Sequence, residues 1–114
     1  MVLIRGDQLR GHLEGLILEA LEHGVAHGWD IWKRLEETGA GSLQVKEGSL
    51  YPALYRLEQQ GLIAARWETE ASGRRGPRRR IYRLTSKGRR RLAATRIEWR
   101  QFVTVVGSLL GAPA

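Results

Sequence analysis

The residues in this sequence best suited to chemistry are arginines. Between Gly73 and Arg91 stand Arg74, Arg75, Arg78, Arg79, Arg80, Arg83, Lys87, Arg89, Arg90 and Arg91, with no acid among them. The 114-residue chain has a formal charge of +7, yet its other nine basic residues face all twelve acids, so everything outside that window is net negative. A cationic surface this local suits a polyanion, because each neutralised phosphate releases condensed counterions. Membrane headgroups are polyanionic too, but a window rich in Gly and Arg and poor in apolar residues is unlike an amphipathic membrane helix. Nucleic acid fits better than a membrane. An ordinary solvated charge run is the bland alternative, and nineteen residues without one compensating acid argue against it.

Catalytic chemistry finds less support. His12, His23 and His27 are the only histidines; the last two have i, i+4 spacing, but Gly24 breaks the helix between them. The chain has no cysteine, which excludes disulfides, thiolate metal sites and cysteine nucleophiles. Neither a His-Glu metal motif nor a phosphate-cradling Gly loop is present. The expectation is a protein that is not an enzyme and uses no metal and no cofactor. No run approaches the roughly 18 apolar residues of a membrane span, and no signal-type segment opens the chain, so a cytoplasmic location is expected.

The elements that must position the arginines follow from apolar spacing. Leu9, Leu13, Leu16, Ile17, Ala20 and Leu21 predict a first helix from Leu9 to His23, with Asp7 as a cap and Gly24 as a stop. Ile31, Trp32 and Leu35 predict a second from His27 or Gly28 to Thr38. Leu43 to Val45 reads as extended and able to pair weakly with a later strand. Leu50, Leu54 and Leu57 predict a third helix between Glu47 and Gln60. Ser49 as its N-cap places Pro52 in the first turn, where the missing N–H is harmless; an earlier start near Lys46 requires a kink. Leu62 to Thr69 and Arg79 to Leu84 read as the strands of a long hairpin around a turn-rich segment. Thr85 then caps a fourth helix from Ser86 to Leu110, about 37 Å long, more than a small core needs.

Three helices followed by a hairpin make the winged helix-turn-helix order, mainly α with a two-stranded β wing and a long C-terminal helix. Residues 1–84 are expected to form the DNA-binding domain and 85–114 the dimerisation helix, within one structural unit. In this arrangement the third helix enters the major groove and the hairpin reaches phosphates or the minor groove. The candidate DNA contacts are Ser49, Tyr51, Tyr55 and Arg56 on the helix and Arg74, Arg75, Arg78, Arg79 and Arg80 on the wing. Packing of Tyr51 and Tyr55 against the first helix or the hairpin is the other reading, evenly balanced for Tyr51. Leu13, Ile17, Ile97, Phe102, Val103, Val106 and Leu110 are the candidate dimer interface. RNA is the rival polyanion, and a two-fold symmetric pair of recognition helices favours double-stranded DNA. Trp29, Trp32 and Trp67 belong to the core or its rim.

The stretch from Val45 to Ile63, with Gly48-Ser49-Leu50-Tyr51-Pro52, Arg56-Leu57-Glu58 and Gly61-Leu62-Ile63, closely resembles the signature of PadR-family regulators. Leu16-Ile17-Leu18, His27-Gly28, and Tyr82-Arg83-Leu84-Thr85 with Gly88 extend the resemblance over about residues 9 to 105. Trp29 departs from it, since the family more often has tyrosine there. The chain length resembles the short subfamily with one C-terminal dimerisation helix. The resemblance implies a homodimer, usually a repressor, often released from its operator by a small molecule. In short proteins of this kind a tryptophan near position 99 is associated with binding flat aromatic compounds. Trp99, Phe102 and Val103 are therefore the candidate effector site, and simple filling of the dimer seam is the other reading of Trp99.

Overall fold

Apolar residues at three-to-four spacing form four helices in the computed structural model, which describes residues 11–39, 42–69 and 76–111. These are α1 (Leu13–Glu22), α2 (Gly28–Thr38), α3 (Glu47–Gln59) and α4 (Ser86–Leu110). The strands are β1 (Ala26–His27), β2 (Ile63–Trp67) and β3 (Arg80–Leu84), ordered β1-β3-β2 and antiparallel throughout. The expected starts of the first helix, Leu9 and the cap Asp7, lie outside the described residues.

One core holds these elements together. Ile17, Leu18, Ile31, Leu50, Leu54, Leu57, Leu62 and Ile63 are almost wholly buried, and Tyr82, Leu84 and Leu92 close the cluster from the hairpin and α4. Strand alternation sorts the hairpin into two faces. Ile63 opposite Leu84 and Ala65 opposite Tyr82 look inward; Ala64 opposite Arg83 and Arg66 opposite Ile81 look outward.

Three expectations need correction. The third strand comes from Ala26–His27, pairing with Tyr82 and Ile81, rather than from Leu43–Val45, where only Leu43 has bridge geometry. β1 reaches the open edge of β3 because the chain leaving α1 turns at Gly24 with a positive φ (+134) and Arg34 donates to the carbonyls of Ala20, Gly24 and Val25. The N-cap of α3 is Lys46, not Ser49, so Pro52 sits inside the helix. Its missing N–H leaves the carbonyl of Gly48 without a helical donor, and that residue is exposed in the first turn. Ile17 is 0% exposed and belongs to the core of the single subunit, so it has no surface to give to a second one.

The joint between the hairpin and α4 is built by Thr85 and Gly88. The Thr85 hydroxyl donates to the carbonyls of Gly61 and Leu62 and accepts from the Gly88 N–H, as the expected cap of α4. A Cβ on Gly88 would lie 2.0 Å from the Leu62 carbonyl oxygen, so only glycine permits this approach. Further along, Arg96 clamps Glu19 and Glu22, fixing α4 against α1. The same contact holds the Glu22 carboxyl below its usual range.

Candidate nucleic-acid interface

Burial of Leu50, Ala53, Leu54 and Leu57 turns the opposite face of α3 outward. Ser49, Tyr51 and Tyr55 are exposed on that face, Tyr55 by 64% and Tyr51 by 48%. About half of the Tyr51 surface is free, while its ring covers the start of α2 rather than the first helix or the hairpin. A Cβ on Gly28 would come within 2.7 Å of Tyr51 Cε1, so the glycine sets how closely the helices approach. Ser49 is exposed, but its own N–H is used by the Lys46 carbonyl at 3.0 Å. The N-terminal N–H groups without such a partner in this first turn belong to Glu47 and Gly48 instead. Arg56 is exposed and ion-paired with Glu14 of α1 at 2.8 Å. Contact with a base by Arg56 therefore has to release or share Glu14.

The hairpin arginines divide sharply. Arg78 is exposed, at the described end of the wing. Arg79 donates to Glu68 at 2.9 Å, and the Glu68 side chain is only 7% exposed. Arg80 donates to Glu58 of α3 at 2.7 Å and lies 5.2 Å from the ring centroid of Trp67. Both therefore fasten the base of the wing, and Arg80 ties it directly to α3. Arg74 and Arg75 lie outside the described residues. Sequence reasoning missed these pairings because their partners are separated from them in the chain; the acids just before the basic window, Glu68 among them, were the available signal. It also passed over Arg66, which with the exposed Arg83 flanks a shallow depression on the outer sheet face.

The same division shows on α4. Leu92 is buried, while Ile97, Trp99, Phe102 and Val103 are 44–54% exposed and Leu110 81%. Val106 is half-buried, and Leu13 packs against the edge of the core. Trp99 stacks on Phe102 with ring centroids 5.8 Å apart and meets His12 edge-on at 5.4 Å. The structure thus brings Trp99 and Phe102 together, with Val103 one helical turn beyond Trp99.

A model of the transcriptional regulator PadR-like family matches residues 17–94, from the core of α1 into α4. The chain belongs to this family. It is a transcriptional regulator and not an enzyme. A transcriptional regulator from Clostridium thermocellum is 29% identical, with a TM-score of 0.80 over 90% of this chain and 97% of that one. A PadR family regulator from Clostridium difficile is 34% identical, with a TM-score of 0.76 over 88% and 99% of the two chains. Bacillus subtilis PadR, solved in complex with operator DNA, is 27% identical, with a TM-score of 0.65 over 75% of this chain and 47% of that one. The winged-helix architecture with its long C-terminal helix is common ground with these relatives. Among the described residues, no helix is long and apolar enough to cross a membrane.

Proposed function

We propose that this PadR-like regulator is a ligand-responsive repressor that binds operator DNA as a homodimer in the cytoplasm. The observation carrying the proposal is the outward face of α3, where Tyr51 and Tyr55 stand exposed on the helix that Arg80 and Glu58 join to the wing. In this reading α3 reads the major groove, while Arg78 and the wing tip with Arg74 and Arg75 meet phosphates. The operator complex of Bacillus subtilis PadR supports the choice of double-stranded DNA. Ser49, Tyr51 and Tyr55 are the proposed contacts on α3, with Arg56 joining them once Glu14 yields. Arg79 and Arg80 act from behind, as anchors of the wing.

Dimerisation is proposed through the outer half of α4. Trp99, Val103, Val106 and Leu110 recur at three-to-four spacing with Phe102 beside them, and water is a poor neighbour for so large an apolar stripe. Leu13 borders this seam, whereas Ile97 lies on the opposite side of α4 from the stripe and is not part of it. Paired across a two-fold axis, the stripe also brings two Trp99 rings near one another, which suits a flat aromatic effector.

The test is anisotropy or gel shift with duplex DNA from upstream of this protein's own gene, at several salt concentrations. Saturable binding that weakens linearly on a log–log salt plot is expected. Equal or tighter binding to structured RNA of matched length overturns the DNA assignment. For the effector, a variant keeping only Trp99 should show saturable quenching by planar aromatic compounds together with a fall in operator affinity. Quenching without that fall separates the pocket from regulation.

A further inference from the structure

His27 ends β1 and stands at the N-cap of α2, and its ring lies between two carboxylates. Nδ1 is 2.8 Å from Asp30 Oδ2, and Nε2 is 3.2 Å from Glu68 Oε2. The His27 side chain is 20% exposed, and Nε2 is out of water without a well-directed hydrogen bond. Glu68 also accepts from Arg79 Nε, and the Glu68 backbone N–H donates to the Arg79 carbonyl at 2.7 Å, one rung beyond β2 and β3. These contacts link the start of the recognition module to the base of the wing. They are not a metal centre: among the described residues, no group of three metal-type side chains is suitably arranged.

A neutral imidazole has one N–H. It can donate to one of the two carboxylates and turns a lone pair toward the other. The imidazolium donates to both. We infer that His27 is a proton-controlled clasp, a positioning residue whose imidazolium form bridges Asp30 and Glu68 and so holds the wing in its DNA-binding orientation. Among the described residues, the charged groups facing it are Asp30 from α2, Glu68 after β2 and Arg79 before β3. The hydrogen bond from His27 also holds the Asp30 carboxyl below its usual range, so Asp30 stays ionised where histidine titrates. On the other side of the cap, the Tyr51 ring covers Gly28, so a shift of the clasp is felt on α3 as well. The inference rests on the DNA-binding reading above and adds a dependence of that binding on pH.

Two measurements test it on the full chain. The first is affinity for the upstream duplex between about pH 8 and about pH 6 at fixed salt. It compares the wild type with His27→Gln, Glu68→Gln and a His23→Gln control. Acidification should strengthen wild-type binding about fivefold more than it strengthens His27→Gln or Glu68→Gln, while the control follows the wild type. Parallel pH profiles for wild type and His27→Gln overturn the clasp. The second measurement needs no DNA and no variant: long-range proton–nitrogen NMR of the free wild type at about pH 6. Both ring N–H protons of His27 should be visible and slow to exchange, and a single ring proton overturns the clasp. Absence of DNA binding at every pH sinks the proposed function instead, and the NMR result then decides the clasp by itself.

Discussion

The two halves of α4 carry one apolar stripe with two different surroundings. In the first half Leu92 is buried under the core and Arg96 grips Glu19 and Glu22 of α1. In the second, Trp99, Phe102 and Val103 are about half exposed and Leu109 and Leu110 about four-fifths. The helix backbone is continuous, so local propensity does not distinguish the halves. What differs is whether the chain itself supplies a neighbour. The winged part is complete in one subunit, down to the pairing of Arg56, Arg79 and Arg80, while the end of α4 points outward.

The largest effect that can break this contrast is on the core. Leu54→Ala should destabilise the fold by about 2–5 kcal/mol, because a fully buried side chain leaves a cavity. Leu109→Ala should change the unfolding of the dissociated protein by no more than about 0.5 kcal/mol, while weakening self-association. Urea melts and sedimentation at several concentrations read the two quantities separately; equal destabilisation by both substitutions would erase the distinction.

Gly88→Ala comes next. The new methyl meets the Leu62 carbonyl, and relief of that overlap should cost about 1–3 kcal/mol and shift α4 against the hairpin. Thermal denaturation checks the first part, and a change in dimer affinity the second.

Smaller effects separate the arginines. Arg78→Ala should reduce the salt slope of DNA binding by about 0.9 for each phosphate it no longer neutralises, and leave stability almost unchanged. Arg80→Ala should leave the slope nearly intact and lower stability by about 0.5–1 kcal/mol, through its partly exposed pair with Glu58 and its place over Trp67. A large slope change for Arg80 and none for Arg78 would reverse their roles.

The smallest effect is alkaline. Burial pushes the Tyr82 phenol up, so the folded state holds its proton more firmly than the unfolded chain. That contribution is complete below about pH 10 and is lost as pH rises through the folded value. Tyr82→Phe should flatten the alkaline limb of a stability–pH curve; an unchanged limb would place its cause elsewhere.

Much of this molecule is legible in its residues, and the illegible parts share a reason. Periodicity located α2, α3 and α4, and Thr85 before a glycine two residues into α4 marked the wing joint. Leu43–Val45 and Ala26–His27 are both short apolar segments beside a helix. Which of them completes the sheet depends on the tight turn at Gly24 and on Arg34, both tertiary facts. Ser49 is a better capping residue than Lys46, yet the chain begins α3 earlier, where Ser49 and Leu50 both donate to the Lys46 carbonyl. Counting charges located the cationic window but could not separate Arg78 from Arg79 and Arg80. Glu68 and Glu58 lie far from these arginines along the chain, and only folding brings them within reach.

The Thr85–Gly88 joint has a mechanical consequence. Because the hydroxyl and the missing methyl lock the first turn of α4 to the carbonyls of Gly61 and Leu62, the helix is a stiff lever mounted on the wing rather than a tether. At about 37 Å, a tilt of about 5° at this mount displaces the far end by about 3 Å. In a dimer built on α4, wedging the two distal ends apart would run that lever in reverse. Any change in how those ends pack would turn each wing from a distance, and change the separation of the two α3 helices.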